Sequence, residues 1–125
     1  MDDPFDLQRF VEAQAPVYEA VLGELRAGRK TTHWIWFIFP QRTGLGHSPM
    51  SVRYAIRSDD EARAYLAHPV LGPRLQACIA LVRAHEARGV ALEEIFGTLD
   101  AMKFRSCVEL FEKAGLPPNI KSNTI

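Results

Sequence analysis

Two groups of residues in this chain carry side chains able to do chemistry. The first lies in Arg29-Lys30-Thr31-Thr32-His33-Trp34-Ile35-Trp36-Phe37-Ile38-Phe39-Pro40-Gln41, where a basic pair leads into a dense aromatic block. Arg29 can hold a phosphate or carboxylate through a bidentate fork, and Lys30 can meet the same group as a point charge. His33 is the side chain in this block suited to moving a proton near neutral pH. Trp34 offers a face on which a base or nicotinamide-like ring can stack, worth ~1 kcal/mol or more. Gln41 can donate and accept hydrogen bonds beside it. The second group is Asp100, Lys103 and Arg105. Lys103 and Arg105 are anion contacts, and Asp100 is a candidate acid, base or acceptor from a ribose hydroxyl. These types describe a cleft for a small, anionic, partly aromatic ligand, of which a nucleotide or an ADP-ribose derivative is the best example. Its candidate catalytic residues are His33 and Asp100, and its candidate ligand contacts are Arg29, Lys30, Trp34, Gln41, Lys103 and Arg105.

Each of these residues also has an ordinary structural explanation. Cations directly after Gly28 suit the negative end of a helix dipole. A histidine without a nearby carboxylate in sequence is commonly just hydrogen-bonded in place. Two tryptophans two positions apart on a helix point in different directions, so at most one faces a ligand, and Trp36 with Phe37 and Phe39 reads as structural. Asp100 and Lys103, three apart, can simply pair on one helix face for a few tenths of a kcal/mol, by order of magnitude ~0.3. Ser106 and Glu109 share that spacing but lack the intervening base a nucleophile needs. His47, His68 and His85 show no metal-ligand spacing, so neither metal nor cofactor is expected. The loop with Gly44 and Gly46 matches no phosphate-cradling pattern and reads as a surface turn. Whether a reaction occurs is left open by the sequence; hydrolysis of an N-glycosidic or phosphate-linked bond is the class that fits these types. The competing reading is a noncatalytic module that docks another protein through an exposed aromatic patch, flat instead of concave.

The bulk properties bound these readings. A chain of 125 residues can bury roughly two-thirds of its unfolded surface without staples. A single domain over 1–116 is therefore expected, with a polar tail over 117–125. Its 47% hydrophobic and 24% charged residues are ordinary for a globular protein. Fifteen basic residues offset fifteen acidic ones, so no global field steers the domain onto nucleic acid or an anionic membrane. Cys78 and Cys107 sit on apolar stripes as core filler, outside any CxxC pattern. Met1-Asp2-Asp3-Pro4 lacks the basic start of a secretory signal, and no apolar run approaches the ~20 residues of a membrane span. A cytoplasmic location follows as an expectation.

An all-α fold of about six short helices, without internal repeat, has to position these residues. Leu7, Phe10, Val11, Val17, Tyr18, Val21, Leu22 and Leu25 recur at helical steps, with Pro16 either kinking one helix or opening a second. Gly28 supplies a stop. The block from His33 to Phe39 has strand-like composition, yet a lone strand would lack a ladder partner, so a short helix is predicted. Ser48-Pro49 opens the next helix, and Ser58-Asp59-Asp60-Glu61 is a capping box for another. Leu71, Leu75, Cys78, Ile79, Val82 and His85 mark a long amphipathic helix closed by Gly89, and Ala91 to Phe96 a short turn. Thr98 caps a final helix on which Leu99, Met102, Cys107, Leu110 and Phe111 are expected to point inward.

Several of these segments occur together in one known family. Asp6-Leu7-Gln8-Arg9-Phe10-Val11-Glu12-Ala13-Gln14, Gly28-Arg29-Lys30, the His33 to Gln41 block, Gly44-Leu45-Gly46, His68-Pro69-Val70-Leu71-Gly72, Phe96-Gly97, Asp100 with Lys103, Arg105-Ser106 and Leu110-Phe111 follow in order. The chain thereby resembles the domain of unknown function 1810 family, some members of which are labelled calpastatin. That resemblance implies a compact, mostly α-helical, intracellular bacterial domain and carries no activity with it. A family end with a further helix is implied after Leu110-Phe111, where this chain instead runs Pro117-Pro118-Asn119. Phe10 to Gln14, Gly28-Arg29-Lys30 and Asp100 to Phe104 are also similar, much more weakly, to pieces of small N-glycosidase-like domains associated with NAD and ADP-ribose metabolism.

Overall fold

The computed structural model describes residues 2–117. Eight helices form among them: α1 (Gln8–Gln14), α2 (Tyr18–Ala27), α3 (Ile35–Ile38), α4 (Pro49–Arg53), α5 (Asp59–Ala67), α6 (Leu71–Ala87), α7 (Leu92–Phe96) and α8 (Thr98–Lys113). The fold is all-α, as the periodicity predicts. The count exceeds six because α3, α4 and α7 have only four or five residues each. The aromatic block is helical at α3, and β pairing among the described residues is confined to an isolated parallel bridge between Arg42 and Ile56. The polar tail expected over 117–125 lies, from residue 118 onward, outside the described residues.

Local chemistry explains most boundaries. Pro16 falls in the turn between α1 and α2, so the first apolar stripe is two helices. Gly28 ends α2 in the left-handed region at φ 76°, with the Arg29 N–H reaching back 3.0 Å to the Glu24 carbonyl. A Cβ there would also stand 3.1 Å from the His85 ring, so both backbone and space call for glycine. Ser48 caps α4 by accepting from the Ser51 N–H at 3.1 Å, with Pro49 as first helical residue.

Two caps differ from expectation. Ser58 accepts from the Glu61 N–H at 3.0 Å, but the Glu61 carboxylate does not return the bond to Ser58. It accepts instead from the Arg57 N–H at 3.0 Å and pairs with Arg9 at 2.7 Å, because Glu61 is fully buried and a buried carboxylate requires a charge partner. Arg9 spends its other donors on the carbonyls of Phe5, Asp6, Arg53 and Ala55, fastening α1 to the α4–α5 connection. At α8, Gly97 occupies the cap position with φ 80°, and Thr98 is the first helical residue without a side-chain cap.

One continuous core runs through the helices, with Phe10, Phe39, Tyr65, Phe104 and Phe111 wholly enclosed. Phe39, just after α3, meets Phe104 of α8 edge-on at 4.9 Å and Phe96 of α7 edge-on at 5.9 Å. These contacts seat the aromatic block against the start of α8. The inward face of α8 carries Ala101, Phe104, Cys107, Val108, Leu110 and Phe111. Leu99 and Met102, expected inward, are 71% and 57% exposed. At about 100° per residue they stand roughly 140° and 160° around the helix from Phe104, so the core-facing stripe excludes both. Cys78 and Cys107 are free and buried.

Candidate functional site

The turn after α2 is organised by a carboxylate that the sequence gives no reason to single out. Glu24 Oε1 accepts from the Thr31 N–H at 2.7 Å, the Thr32 N–H at 3.1 Å and the Trp34 indole N–H at 3.0 Å, while Oε2 accepts from the Thr32 hydroxyl at 2.6 Å. Desolvation alone would raise this carboxyl, but the hydrogen bonds from Thr32, Thr31 and Trp34 outweigh it and hold it at about 2. Glu24 thus folds residues 31–34 around itself. The Lys30 N–H, meanwhile, donates to the Ile95 carbonyl of α7 at 2.7 Å, placing the Lys30 side chain beside α8.

There the two sequence groups meet. Lys30 Nζ is 2.8 Å from Asp100 Oδ2, and Lys103 Nζ is 3.3 Å from Asp100 Oδ1. Each ammonium also approaches an indole, Lys30 at 5.1 Å from the Trp34 ring centre and Lys103 at 4.4 Å from that of Trp36. Partial burial pushes the Asp100 carboxyl up, and the hydrogen bonds and charges of Lys30 and then Lys103 bring it below the usual carboxylate range. The carboxylate is therefore ionised at neutral pH with both oxygens engaged, and the three side chains together carry one excess positive charge.

Two adjoining hollows open at this cluster. The polar one, about 240 Å³, is lined by Lys30, His33, Trp34, Ile35, Trp36, Met50, Asp100 and Lys103. The apolar one, about 190 Å³, is lined by Trp36, Gln41, Leu45, Leu99, Met102, Lys103 and Ser106. Trp36 and Lys103 belong to both. Each alone is smaller than the ~300–1,000 Å³ typical of ligand pockets; side by side they fall within it.

Of the eight residues singled out from the sequence, Lys30, His33, Trp34, Asp100 and Lys103 line the polar hollow, and Gln41 and Lys103 the apolar one. Arg29 is exposed and lines neither hollow. Arg105 is turned to Glu93 of α7 at 3.1 Å and also lines neither. His33 is exposed at the edge and makes no hydrogen bond to Asp100 among the described residues, so the two do not form a coupled acid–base pair here. Both tryptophans line the polar hollow, where at most one was expected to face a ligand. Trp34 is the buried one at 2% exposure with its N–H on Glu24, and Trp36 is the half-buried one common to both hollows. The reason is that α3 starts at Ile35: Trp34 sits before it with φ −150°, outside the helical geometry from which the directions of the two rings were inferred.

Residues that the sequence reading did not assign to the site complete it. Leu45, Met50, Leu99 and Met102 are four of the five large apolar side chains most exposed among the described residues, and all four line the hollows. Leu45 is delivered by the glycine loop. Gly46 lets that loop approach, since a Cβ would lie 2.8 Å from Ser51 and 3.2 Å from the Trp36 ring. An exposed leucine or methionine on a helix carries no local signal separating it from a core residue; only the phase relative to Phe104 does. No group of three or more His, Cys, Asp or Glu gathers at metal-binding distance among the described residues. No helix among them is long and apolar enough to cross a membrane.

Comparison with known proteins adds a family and a solved relative. The crystal structure of the conserved hypothetical protein Rv1873 from Mycobacterium tuberculosis is 58% identical to this chain, covers 90% of it and 79% of its own length, and superposes with a TM-score of 0.86. Among curated proteins nothing matches. The family model described as protein of unknown function DUF1810 matches residues 4–124. With nearly the whole chain covered by that model, and its helices seated as in the solved relative, the protein belongs to the DUF1810 family.

Proposed function

We propose that this domain binds a small, anionic, partly aromatic ligand of the nucleotide or ADP-ribose type, with the anionic group on Lys30 and Lys103 and a ring against Trp36. The observation that carries the reading is the meeting of two lysines, far apart in sequence, on the single carboxylate of Asp100 inside a hollow walled by indoles. In the free protein Asp100 holds both ammonium groups in place. An incoming phosphate meets a cluster with one positive charge in excess and exchanges with the carboxylate as their partner.

The geometry favours binding over hydrolysis. Asp100 has no proton to give at neutral pH, and both its oxygens are occupied. A hydrolytic form of the same reading would free Asp100 as a base for water once the ligand holds the lysines, with His33 at the edge as proton donor to an N-glycosidic or phosphate-linked leaving group. Titration calorimetry with ADP-ribose, NAD and AMP tests the binding reading. Saturable binding that Lys30→Ala and Lys103→Ala each weaken at least tenfold is expected; no binding at millimolar ligand, or unchanged binding in both variants, would overturn it.

A second reading is favoured by one observation: Leu45, Met50, Leu99 and Met102 surround Trp36 as exposed apolar groups, as on a protein-docking surface. The concavity of both hollows supports the small ligand first.

A further inference from the structure

The apolar hollow contains a buried polar side chain that the fold uses only by half. Gln41 is 4% exposed, and its amide nitrogen donates to the Phe39 carbonyl at 2.9 Å and to the Lys103 carbonyl at 2.7 Å. Those two carbonyls fix the sense of the amide, because turning it over would set oxygen against oxygen. Gln41 Oε1 accepts no hydrogen bond among the described residues. Yet no wholly enclosed side-chain oxygen or nitrogen there lacks a partner, so Oε1 has access to open space. The apolar hollow of about 190 Å³ is the space that Gln41 lines.

The surroundings of that oxygen are selective. Trp36, Leu99 and Met102 supply apolar walls, Ser106 supplies one hydroxyl, and Lys103 opens onto the polar hollow next door. An acceptor set among apolar walls favours a partner that brings an N–H, and rejects one that brings only a carbonyl or a bare ring edge, because the acceptor then goes unpaired. The indole of Trp36 gives a planar ring something to lie against.

We propose that the apolar hollow is the ring subsite of the ligand site, selecting a planar heterocycle that presents an N–H donor to Gln41 Oε1 while the anionic group of the same molecule rests on Lys30 and Lys103. This rests on the binding reading above and adds to it the chemical class of the ring. Ser106 then meets a second polar atom of the heterocycle, and Met102 and Leu99 cover its edges. Because Trp36 and Lys103 belong to both hollows, one small molecule spans them.

Calorimetry with four probes separates the two readings: AMP, the purine riboside 5′-monophosphate that lacks the exocyclic amino group, ribose 5-phosphate and inorganic phosphate. AMP is expected to bind at least tenfold more tightly than the purine riboside monophosphate and than ribose 5-phosphate, and to quench tryptophan fluorescence, which ribose 5-phosphate leaves unchanged. Met102→Trp, a change at an exposed position that crowds the ring subsite, brings AMP down to the level of ribose 5-phosphate, while its unaltered urea midpoint reports an intact fold. If all phosphorylated probes bind alike through the lysines, or if the advantage of AMP survives Met102→Trp, the ring subsite is refuted and the anion reading stands. If no probe binds, both are refuted.

Discussion

The ammonium of Lys30 lies 2.8 Å from Oδ2 of Asp100, joining the turn that follows α2 to the first turn of α8. Asp100 there is favoured twice, by the lysine and by the positive end of the α8 dipole. Lys103 on the same helix completes the arrangement from the other oxygen at 3.3 Å. The carboxylate thus keeps two cations close together that would otherwise repel.

Replacing Asp100 with Asn tests whether that carboxylate competes with the ligand or serves it. Removing one negative charge about 4 Å from a bound phosphate is worth about 1 kcal/mol at the dielectric of water, so Asp100→Asn is expected to tighten AMP binding roughly fivefold. Weakened binding by calorimetry would show instead that the carboxylate is needed to position the lysines.

Glu24 is expected to support the fold in a pH-dependent way. Its folded value of about 2 lies below the ordinary 4.5, so its contribution is present above the ordinary value and is lost as pH falls through that interval. Glu24→Gln replaces a fourfold acceptor with an amide and should cost about 1–2 kcal/mol at pH 7, lowering Tm by roughly 4–8 °C. Thermal melts of both proteins from pH 6 to pH 2 should show this gap closing; a gap that stays constant would count against the assignment.

Leu99 and Met102 make the opposite kind of prediction. Because both are exposed, Leu99→Ser and Met102→Ser should change stability by no more than ~0.5 kcal/mol in urea denaturation. Phe104→Ala, on the buried face of the same helix, should cost about 3–5 kcal/mol. A large loss at either exposed position would mean that these side chains belong to the core.

Gly46→Ala forces a methyl against Ser51 and the Trp36 ring, which lie 2.8 Å and 3.2 Å from its position. Overpacking of this kind costs about 1–3 kcal/mol and should displace the loop outward. A red-shifted tryptophan emission together with a lower urea midpoint is the expected result, and an unchanged spectrum would show that the loop does not rest on Trp36.

The helical frame was legible because each long element carries its own period and its own stops. The stripe through Leu71, Leu75, Cys78, Ile79 and Val82 is α6, Gly28 and Ser48-Pro49 mark real ends, and the aromatic block is helical as the missing strand partners required. Residue type singled out Lys30, His33, Asp100 and Lys103 as candidates, but their meeting at one hollow is set by the tertiary fold. What stayed illegible depends on phase and on long-range partners. The inward list for α8 took in Leu99 and Met102, since three- and four-residue steps admit more than one face until Phe104 fixes which one is covered. The placing of Trp34 and Trp36 turned on a helix that starts at Ile35, two residues after His33, and the Glu61 carboxylate left its capping box for Arg9, a partner 52 positions away. Glu24 escaped notice because its four donors lie seven to ten residues downstream, beyond the reach of any helical spacing rule.

The amide of Gln41 is bonded to the backbone of α8, at the carbonyl of Lys103. The segment that carries the aromatic block and the helix that carries two members of the charged cluster are consequently joined by this bond as well as by the packing of Phe39 on Phe104, and swinging one from the other would break both. On the binding proposal, passage would fall to the tips of Leu45, Leu99 and Met102, exposed side chains of a kind that reorients within picoseconds to nanoseconds. Capture of a small molecule would then proceed as fast as it diffuses up to the doorway, and discrimination among candidates would be expressed in how long each one stays.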